Sequence, residues 1–258
     1  ERYTAGDNGR SNYKKHEFKL SGPKPSDMLS ATKKLTIKSI KLQNISQLAD
    51  DHPAVKYIEN RKIPRQFWDE IFYHEKYKDF LTDQFSDYLD EQKREEIPND
   101  ERIILFYTNE KGEITNVTGR ALGSSKIRYC TVKVSDEKKL FGMHRLQKEI
   151  TTYILEGQFD SFFIPNSVAS GDSNLGGAAD SLSKSNVVLV YDNEPRNREI
   201  VKQISKSIEN NFKVVLFPDT IPYKDINEMI LGGMSQEQIL KVIEENTDLH
   251  FLNKKKEA

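Results

Sequence analysis

The stretch "YILEGQFDSFF" at residues 153–163 ends an apolar run on a glutamate, which is followed by glycine and then by a second carboxylate. Burying a carboxylate at the end of a core strand costs free energy unless something compensates the charge. The carboxyl end of a parallel strand, followed by a glycine turn, is where open α/β sheets bind ligands. The stretch therefore predicts a buried parallel strand whose end carries Glu156 and Asp160 as functional groups.

Strand-like and helix-like segments alternate after this stretch, which predicts a parallel sheet with helical crossovers. "SVAS" predicts a brief strand, and "FKVVLFPD" predicts a longer one. "SNVVLVYD" is a continuous apolar run, as expected for a strand covered on both faces. Ile200 and Ile204 mark one face of an amphipathic helix, and "SQEQILKVIEEN" predicts a closing helix that begins with a capping box at Ser235.

The first half of the chain has a different pattern. Residues 48–89 carry spaced apolar residues that predict two or three helices, one of them beginning at Pro64. Residues 102–122 predict two strands joined by a hairpin turn at 109–112, and "KIRYCTVKV" predicts a further strand. Residues 1–30 are rich in Gly, Ser, Asn, Pro and Lys, and we interpret them as a linker or tail.

Charge and composition narrow the class of protein. The net charge is −1, yet residues 1–150 hold 28 Lys and Arg against 24 Asp and Glu, while residues 151–258 hold 11 against 16. A basic surface beside an acidic pocket suits an enzyme that handles a polyanion with metal ions, although ordinary charge scatter is the alternative.

The single cysteine excludes an internal disulfide and a multi-cysteine zinc site, which favours an intracellular protein. No apolar run approaches the ~20 residues that cross a bilayer.

Further carboxylates follow the later strands. Asp192 and Glu194 follow the second long strand, and Asp225 lies beyond the third, at spacings of 36 residues from Glu156 to Asp192 and 33 from Asp192 to Asp225. Each spacing is about one βαβ unit, so these acids are expected at one edge of the sheet. Such oxygen ligands suit Mg²⁺ or Mn²⁺, and two such ions serve phosphoryl transfer. The alternative is that these acids stabilise helix N-termini.

The ordered motifs "EGQFD", "DNE" and "KDIN" resemble the Toprim signature of E-G-x-x-D, then D-x-D, then a later aspartate. With "LADDHPAVKYIENRKIP", "GRAL" and "VYDNEPR" they resemble the primase subunits of T-even-like bacteriophages over roughly residues 45–245. The resemblance implies an α/β fold: a Toprim domain with a parallel sheet flanked by helices, preceded by a smaller α+β basic subdomain. We expect a linker or tail at 1–45, the basic subdomain at 46–148, the Toprim catalytic domain at 149–232, and a C-terminal helix and tail at 233–258.

The resemblance implies a DNA primase, a nucleotidyltransferase that synthesises short RNA primers on single-stranded DNA for lagging-strand replication by two-metal chemistry. Five acids match the family's acidic active-site positions: Glu156, Asp160, Asp192, Glu194 and Asp225. All of these except Asp160 are expected to bind Mg²⁺ or Mn²⁺, with Asp160 supporting them. The second motif of the wider Toprim pattern ends in aspartate, so Glu194 departs from it.

Basic residues are expected to meet nucleotide or template phosphates. The resemblance assigns Arg120, Lys126 and Arg128 to this role, because the triphosphate and the template backbone both need cations. Strand alternation predicts that Lys126 and Arg128 share one face. Lys224, beside Asp225, is expected either to bind a phosphate or to offset the acidic site.

The resemblance also implies partners: a single-stranded DNA template, ribonucleoside triphosphates and a hexameric replicative helicase, in the cytoplasm of a bacterial host and without a membrane. No phosphate loop of the G-x-x-x-x-G-K-[ST] type is present, so the helicase is expected to be a separate chain. Zinc is expected only in an upstream module that this chain, which begins at Glu1, does not include. Without that module we expect weak priming or priming without start-site choice.

The same carboxylates also suit a Toprim-type metal-dependent nuclease, which is the main alternative. A topoisomerase would need a catalytic tyrosine on a further domain, and no segment is large enough to hold one. An inactive scaffold that recruits a helicase is a third alternative, and metal-dependent activity would exclude it.

Overall fold

The chain divides into two compact units between Lys139 and Leu140. The computed structural model describes residues 17–20, 34–90, 94–147, 149–180, 182 and 186–248. The sequence prediction placed this division at 148/149. The earlier division has a cause in the backbone: Phe141 exchanges two hydrogen bonds with Ala169, at 2.8 and 3.0 Å, so this segment pairs with a strand of the C-terminal unit.

The N-terminal unit contains a five-stranded mixed sheet. Its strands are β1 (Glu17–Leu20), β2 (Ile71–His74), β3 (Arg102–Thr108), β4 (Ile114–Ala121) and β5 (Tyr129–Lys133). The spatial order is β1-β5-β4-β3-β2, in which β1 runs parallel to β5 and the other neighbours are antiparallel. The hairpin predicted at 109–112 is confirmed by the pairing of β3 with β4.

The structure corrects the prediction for residues 48–89. The helices there are α1 (Pro53–Asn60) and α2 (Tyr77–Phe85), and Pro64 caps a short 3₁₀ helix instead of opening an α-helix. Strand β2 lies between them, where only helix was predicted. Its aromatic residues and the β-branched Ile71 favour an extended edge strand, which pairs with β3.

The predicted linker at 1–45 is also more structured than expected where it is described. Strand β1 lies within it, and Leu35 and Ile37 pack against the core of the N-terminal unit. Thr36 forms a backbone bridge with Glu113. Residues 1–16 and 21–33 of this prediction lie outside the described residues.

Arg102 is fully buried in the N-terminal unit, and no sequence pattern predicted this. Its guanidinium donates five hydrogen bonds, two to the Asp100 carboxylate at 2.6 and 3.0 Å and the others to the Ser125 hydroxyl and to the carbonyls of Gly119 and Ile127. A buried charge is tolerated when it is paired and hydrogen-bonded throughout. Arg102 therefore fastens β3 to β4 and to the loop before β5.

We expect Arg102→Met to lower the free energy of unfolding of the N-terminal unit by about 3 kcal/mol, because it leaves buried acceptors without a donor. Urea unfolding followed by fluorescence of Trp68, the single tryptophan, measures this change in the same unit. The matched control is Lys133→Met, which removes an exposed pair with Asp136 and should cost less than about 1 kcal/mol. Equal losses in the two variants would contradict the structural role of Arg102.

The C-terminal unit contains the predicted parallel sheet. Its strands are β6 (Thr152–Leu155), β7 (Ser167–Ala169), β8 (Val187–Val190), β9 (Lys213–Val215) and β10 (Thr247–Asp248), in the order β10-β9-β8-β6-β7. All neighbours are parallel except β10, which pairs antiparallel with β9. Every residue of β8 is buried, as its continuous apolar run predicted.

The α-helices in the described part of this unit are α3 (Leu175–Ala179), α4 (Arg198–Glu209), α5 (Ile226–Leu231) and α6 (Gln236–Glu245). The predicted capping box at Ser235 is confirmed at the start of α6. Ile200 and Ile204 of α4 are buried in the core of this unit, as their spacing predicted. No helix in the described part of the chain has the length and apolarity needed to cross a membrane.

Candidate active site

Glu156 follows β6 directly and is buried, with 4% of its surface exposed. Its carboxylate accepts a hydrogen bond from the backbone N–H of Asp192 at 3.1 Å. The parallel pairing of β6 with β8 brings the two strand ends together and makes this contact. The glutamate that ends the apolar run therefore joins the first acidic motif to the second.

Asp160 joins the first motif to the third. It begins a 3₁₀ helix (Asp160–Phe162), where a short helix was predicted, and its Oδ1 accepts the backbone N–H of Asn227 at 2.8 Å. Asn227 lies in the first turn of α5. Asp160 therefore holds the start of α5 against the turn that follows β6.

Asp192 and Glu194 lie in the loop after β8, near the ammonium group of Lys224. The Lys224 Nζ lies 3.8 Å from Asp192 Oδ2 and 3.2 Å from Glu194 Oε1. The helix that follows is capped by Asn197, whose side chain accepts from the N–H of Glu199. Asp192 and Glu194 are therefore not the N-cap of this helix, although Glu194 Oε2 accepts a hydrogen bond from the side-chain amide of the capping Asn197 at 2.9 Å.

The N-cap alternative does apply to Asp225. Its side chain is the N-cap of α5 and accepts the N–H of Glu228 at 2.8 Å. The same residue lines the cavity described below, so its cap role and its position at the site coexist.

Asn193, between the two acids of the second motif, was missed by the sequence analysis. Its amide donates to the carbonyls of Ile221 and Tyr223 at 3.0 and 2.9 Å, and its backbone N–H donates to the carbonyl of Lys224 at 2.6 Å. These bonds hold the segment before Asp225 to the loop after β8. A buried asparagine between two acids was the available signal, but its partners lie about 30 residues away and no local pattern identifies them.

A cavity at the carboxyl end of the sheet gathers four of the five predicted acids. It is lined by Glu156, Asp160, Asp192 and Asp225, together with Leu155, Val190, Tyr191, Phe217 and Ile226. Glu194 is not among the lining residues, although it shares Lys224 with Asp192. Within the described residues, no three His, Cys, Asp or Glu side chains are arranged to hold a metal ion.

Tyr191 is the tyrosine that lines this cavity. Burial, the main cause, raises the pKa of Tyr191 to about 12, and the nearby Glu156 charge acts in the same direction. Its hydroxyl lies 2.8 Å from the Ser207 hydroxyl. The phenol therefore stays protonated at neutral pH.

The basic residues Arg120, Lys126 and Arg128 belong to the N-terminal unit, whereas the acids belong to the C-terminal unit. The Arg120 guanidinium lies over the rings of Tyr57 and Tyr129, at 5.3 and 5.5 Å from their centroids, and it donates to the carbonyl of Ala121. Lys126 and Arg128 are exposed, but they precede β5 and are not part of it, so the prediction that a strand aligns them is wrong. The strand begins at Tyr129, three residues after the predicted start at Lys126, and the Arg128 carbonyl accepts the N–H of Ala121 just before it.

Comparison with known proteins identifies relatives of the chain. No family model matches it. It is 30% identical over 229 residues to the DNA primase of Enterobacteria phage T4, and the match covers 86% of this chain and 65% of the phage protein. The resemblance to phage primases inferred from the motifs is confirmed, and the chain spans less than two thirds of that relative.

Solved structures show the fold. The chain is similar to the Escherichia coli primase catalytic core, with a TM-score of 0.58 and 16% identity over 82% of this chain and 80% of that chain. It is also similar to a DnaG primase catalytic domain bound to single-stranded DNA, with a TM-score of 0.56 and 16% identity over 80% and 78% of the two chains. The predicted α/β fold of the primase catalytic core is thereby confirmed, including its Toprim-type parallel sheet.

Gly157 provides a test of the contact between Asp160 and α5. A Cβ at this position would overlap Asp160 Oδ2, so Gly157→Ala should push the carboxylate off the Asn227 N–H. We expect a loss of about 1–2 kcal/mol in the free energy of unfolding, measured by thermal unfolding.

In an Asp160→Ala background the Gly157→Ala substitution should cost much less, because the overlapping atom is gone. Additive losses would contradict this packing, and Gly123→Ala, where a Cβ meets nothing within 4 Å, is the control.

Proposed function

We propose that this chain is the RNA-polymerising part of a DNA primase, a nucleotidyltransferase that makes short RNA primers on single-stranded DNA for lagging-strand synthesis. The observation that carries the proposal is the convergence of three ordered acidic motifs on one cavity in a chain similar to the phage T4 primase. The structural relative bound to single-stranded DNA supports the same template.

The acids in and beside the cavity have the donor chemistry of a site for a hard divalent cation. The predicted ligands Glu156, Asp192, Glu194 and Asp225 offer only oxygen atoms, the ligand type that Mg²⁺ and Mn²⁺ prefer. A cationic group already stands beside two of them, because the Lys224 ammonium contacts Asp192 and Glu194. When bound, two such ions would activate the primer 3′-hydroxyl and neutralise the triphosphate of the incoming nucleotide.

The protein's own groups have distinct tasks in this proposal. Glu156 places the end of β8 through the Asp192 N–H, and Asp160 places α5 through the Asn227 N–H. Both act as supports of the site as well as acids within it. Because each is buried, their contacts keep the cavity wall rigid while substrates exchange.

The basic residues are proposed to position the polyanions. Lys126 and Arg128 are exposed and suit contacts with template or nucleotide phosphates, which need accessible cations. Arg120 is already stacked on two tyrosine rings, so it presents a guanidinium held in place by aromatic packing. Lys224 lies beside the acids of the second motif, with its ammonium 3.8 Å from Asp192 and 3.2 Å from Glu194.

The proposed partners are ribonucleoside triphosphates, single-stranded DNA and a hexameric replicative helicase on a separate chain, in the cytoplasm of an infected bacterium. The similarity to a phage protein supports this setting. Zinc would be confined to a module outside this chain; a solved Aquifex aeolicus primase that contains zinc-binding and RNA polymerase domains is similar in fold over 78% of this chain and 57% of its own.

Asp192→Asn tests the proposal. The assay extends a labelled RNA primer annealed to a separately labelled single-stranded DNA template, so that it does not depend on start-site choice. We expect extension to fall at least about a hundredfold, because a carboxylate that stabilises charge in the transition state is lost. The control Asp180→Asn changes an exposed aspartate in the same unit and should keep full activity.

The two labels distinguish the alternatives. Lengthened primers with intact template support the primase, whereas shortened template would show the nuclease. Full extension by the Asp192→Asn variant would contradict the assignment of the acidic site. If neither primer extension nor template cleavage is seen with metal present, the inactive scaffold is favoured.

A further inference from the structure

We propose that Lys224 is the resident counter-ion of the acidic cavity, and that an entering divalent cation displaces its ammonium group from Asp192 and Glu194. This inference rests on the proposed function and deepens it. It assigns Lys224 a role in the metal-free protein that precedes any contact with a substrate phosphate.

The contacts favour this role. The Lys224 ammonium lies between two carboxylates of the second acidic motif, at 3.2 Å from Glu194 and 3.8 Å from Asp192. The Asp192 side chain is only 10% exposed, so water alone compensates its charge poorly. Carboxylates gathered in one cavity repel one another unless a cation lies among them. In the described structure Lys224 supplies that cation.

The backbone of Lys224 is anchored while its side chain is accessible. Its carbonyl accepts the N–H of Asn193 at 2.6 Å, and its N–H donates to the Glu228 carboxylate at 2.9 Å. Asn193 also holds the carbonyls of Ile221 and Tyr223. The Lys224 side chain nevertheless keeps 40% of its surface exposed. The long side chain therefore has solvent to move into while its origin stays beside the acids.

These two properties suit an exchange of cations. A metal ion would bind the same carboxylate oxygens that the Lys224 ammonium approaches. The ion and the ammonium group therefore compete for these oxygens. Lys224 would lower the affinity of the cavity for metal and keep the acids compensated when no metal is present. Once displaced, its ammonium would be available to a phosphate at the same place.

Binding of Mn²⁺ to the whole 258-residue chain, without nucleotide or template, tests this exchange. Free Mn²⁺ is measured by electron paramagnetic resonance during a titration. We expect Lys224→Met and Lys224→Gln to bind Mn²⁺ about fivefold more tightly than the natural chain, the effect of one solvent-screened charge near 4 Å. Lys224→Arg keeps the charge and should bind within about twofold of the natural chain.

Two controls separate this inference from the function on which it rests. Lys241→Met removes the same charge from an exposed pair with Glu245 on α6 and should leave Mn²⁺ affinity unchanged. Asp192→Asn should weaken Mn²⁺ binding. Unchanged or weaker binding by both neutral Lys224 variants, with Asp192→Asn still weakened, would overturn the exchange and leave the metal site standing. Unchanged binding in Asp192→Asn would overturn both.

Discussion

The hydrogen bond from the Asp192 N–H to the buried carboxylate of Glu156 is the contact on which the site depends. It spans two neighbouring parallel strands at their carboxyl ends, which no local turn could bring together. Burying a carboxylate costs free energy unless its charge is compensated. The backbone N–H of Asp192 supplies part of that compensation. The contact also orders the loop that carries Asp192, Asn193 and Glu194, and Asn193 then holds the segment that leads to Asp225.

Compensation of negative charge organises the rest of the site. Asp160 and Asp225 accept backbone N–H groups from the first turn of α5, where the helix dipole favours negative charge. Asp192 and Glu194 face the Lys224 ammonium. Each acid thus has a partner within the protein. Metal binding in our proposal exchanges the partner of the second motif, because an ion would take the carboxylate oxygens that the Lys224 ammonium approaches.

Much of this architecture was predictable from the sequence because its signals are local. Continuous apolar runs identified β6 and β8, and the acids at strand ends identified the cavity edge. Contacts between distant segments were not predictable. Arg102 donates to the carbonyls of Gly119 and Ile127, and Asn193 makes three bonds to the segment before Asp225, and tertiary packing sets all of these acceptors. Strand β2 was missed because spaced apolar residues in a short segment fit both helix and edge strand, and pairing with β3 decides between them.

The location of a bound ion tests most directly whether the converging acids form a metal site. Crystals grown with Mn²⁺ and measured by anomalous diffraction would reveal the ion independently of any activity. Our account predicts an anomalous peak about 2.1 Å from carboxylate oxygens of Asp192 and Glu156, with the Lys224 ammonium moved away. Ordered Mn²⁺ only on acids outside the cavity, with Lys224 still against Asp192 and Glu194, would contradict it.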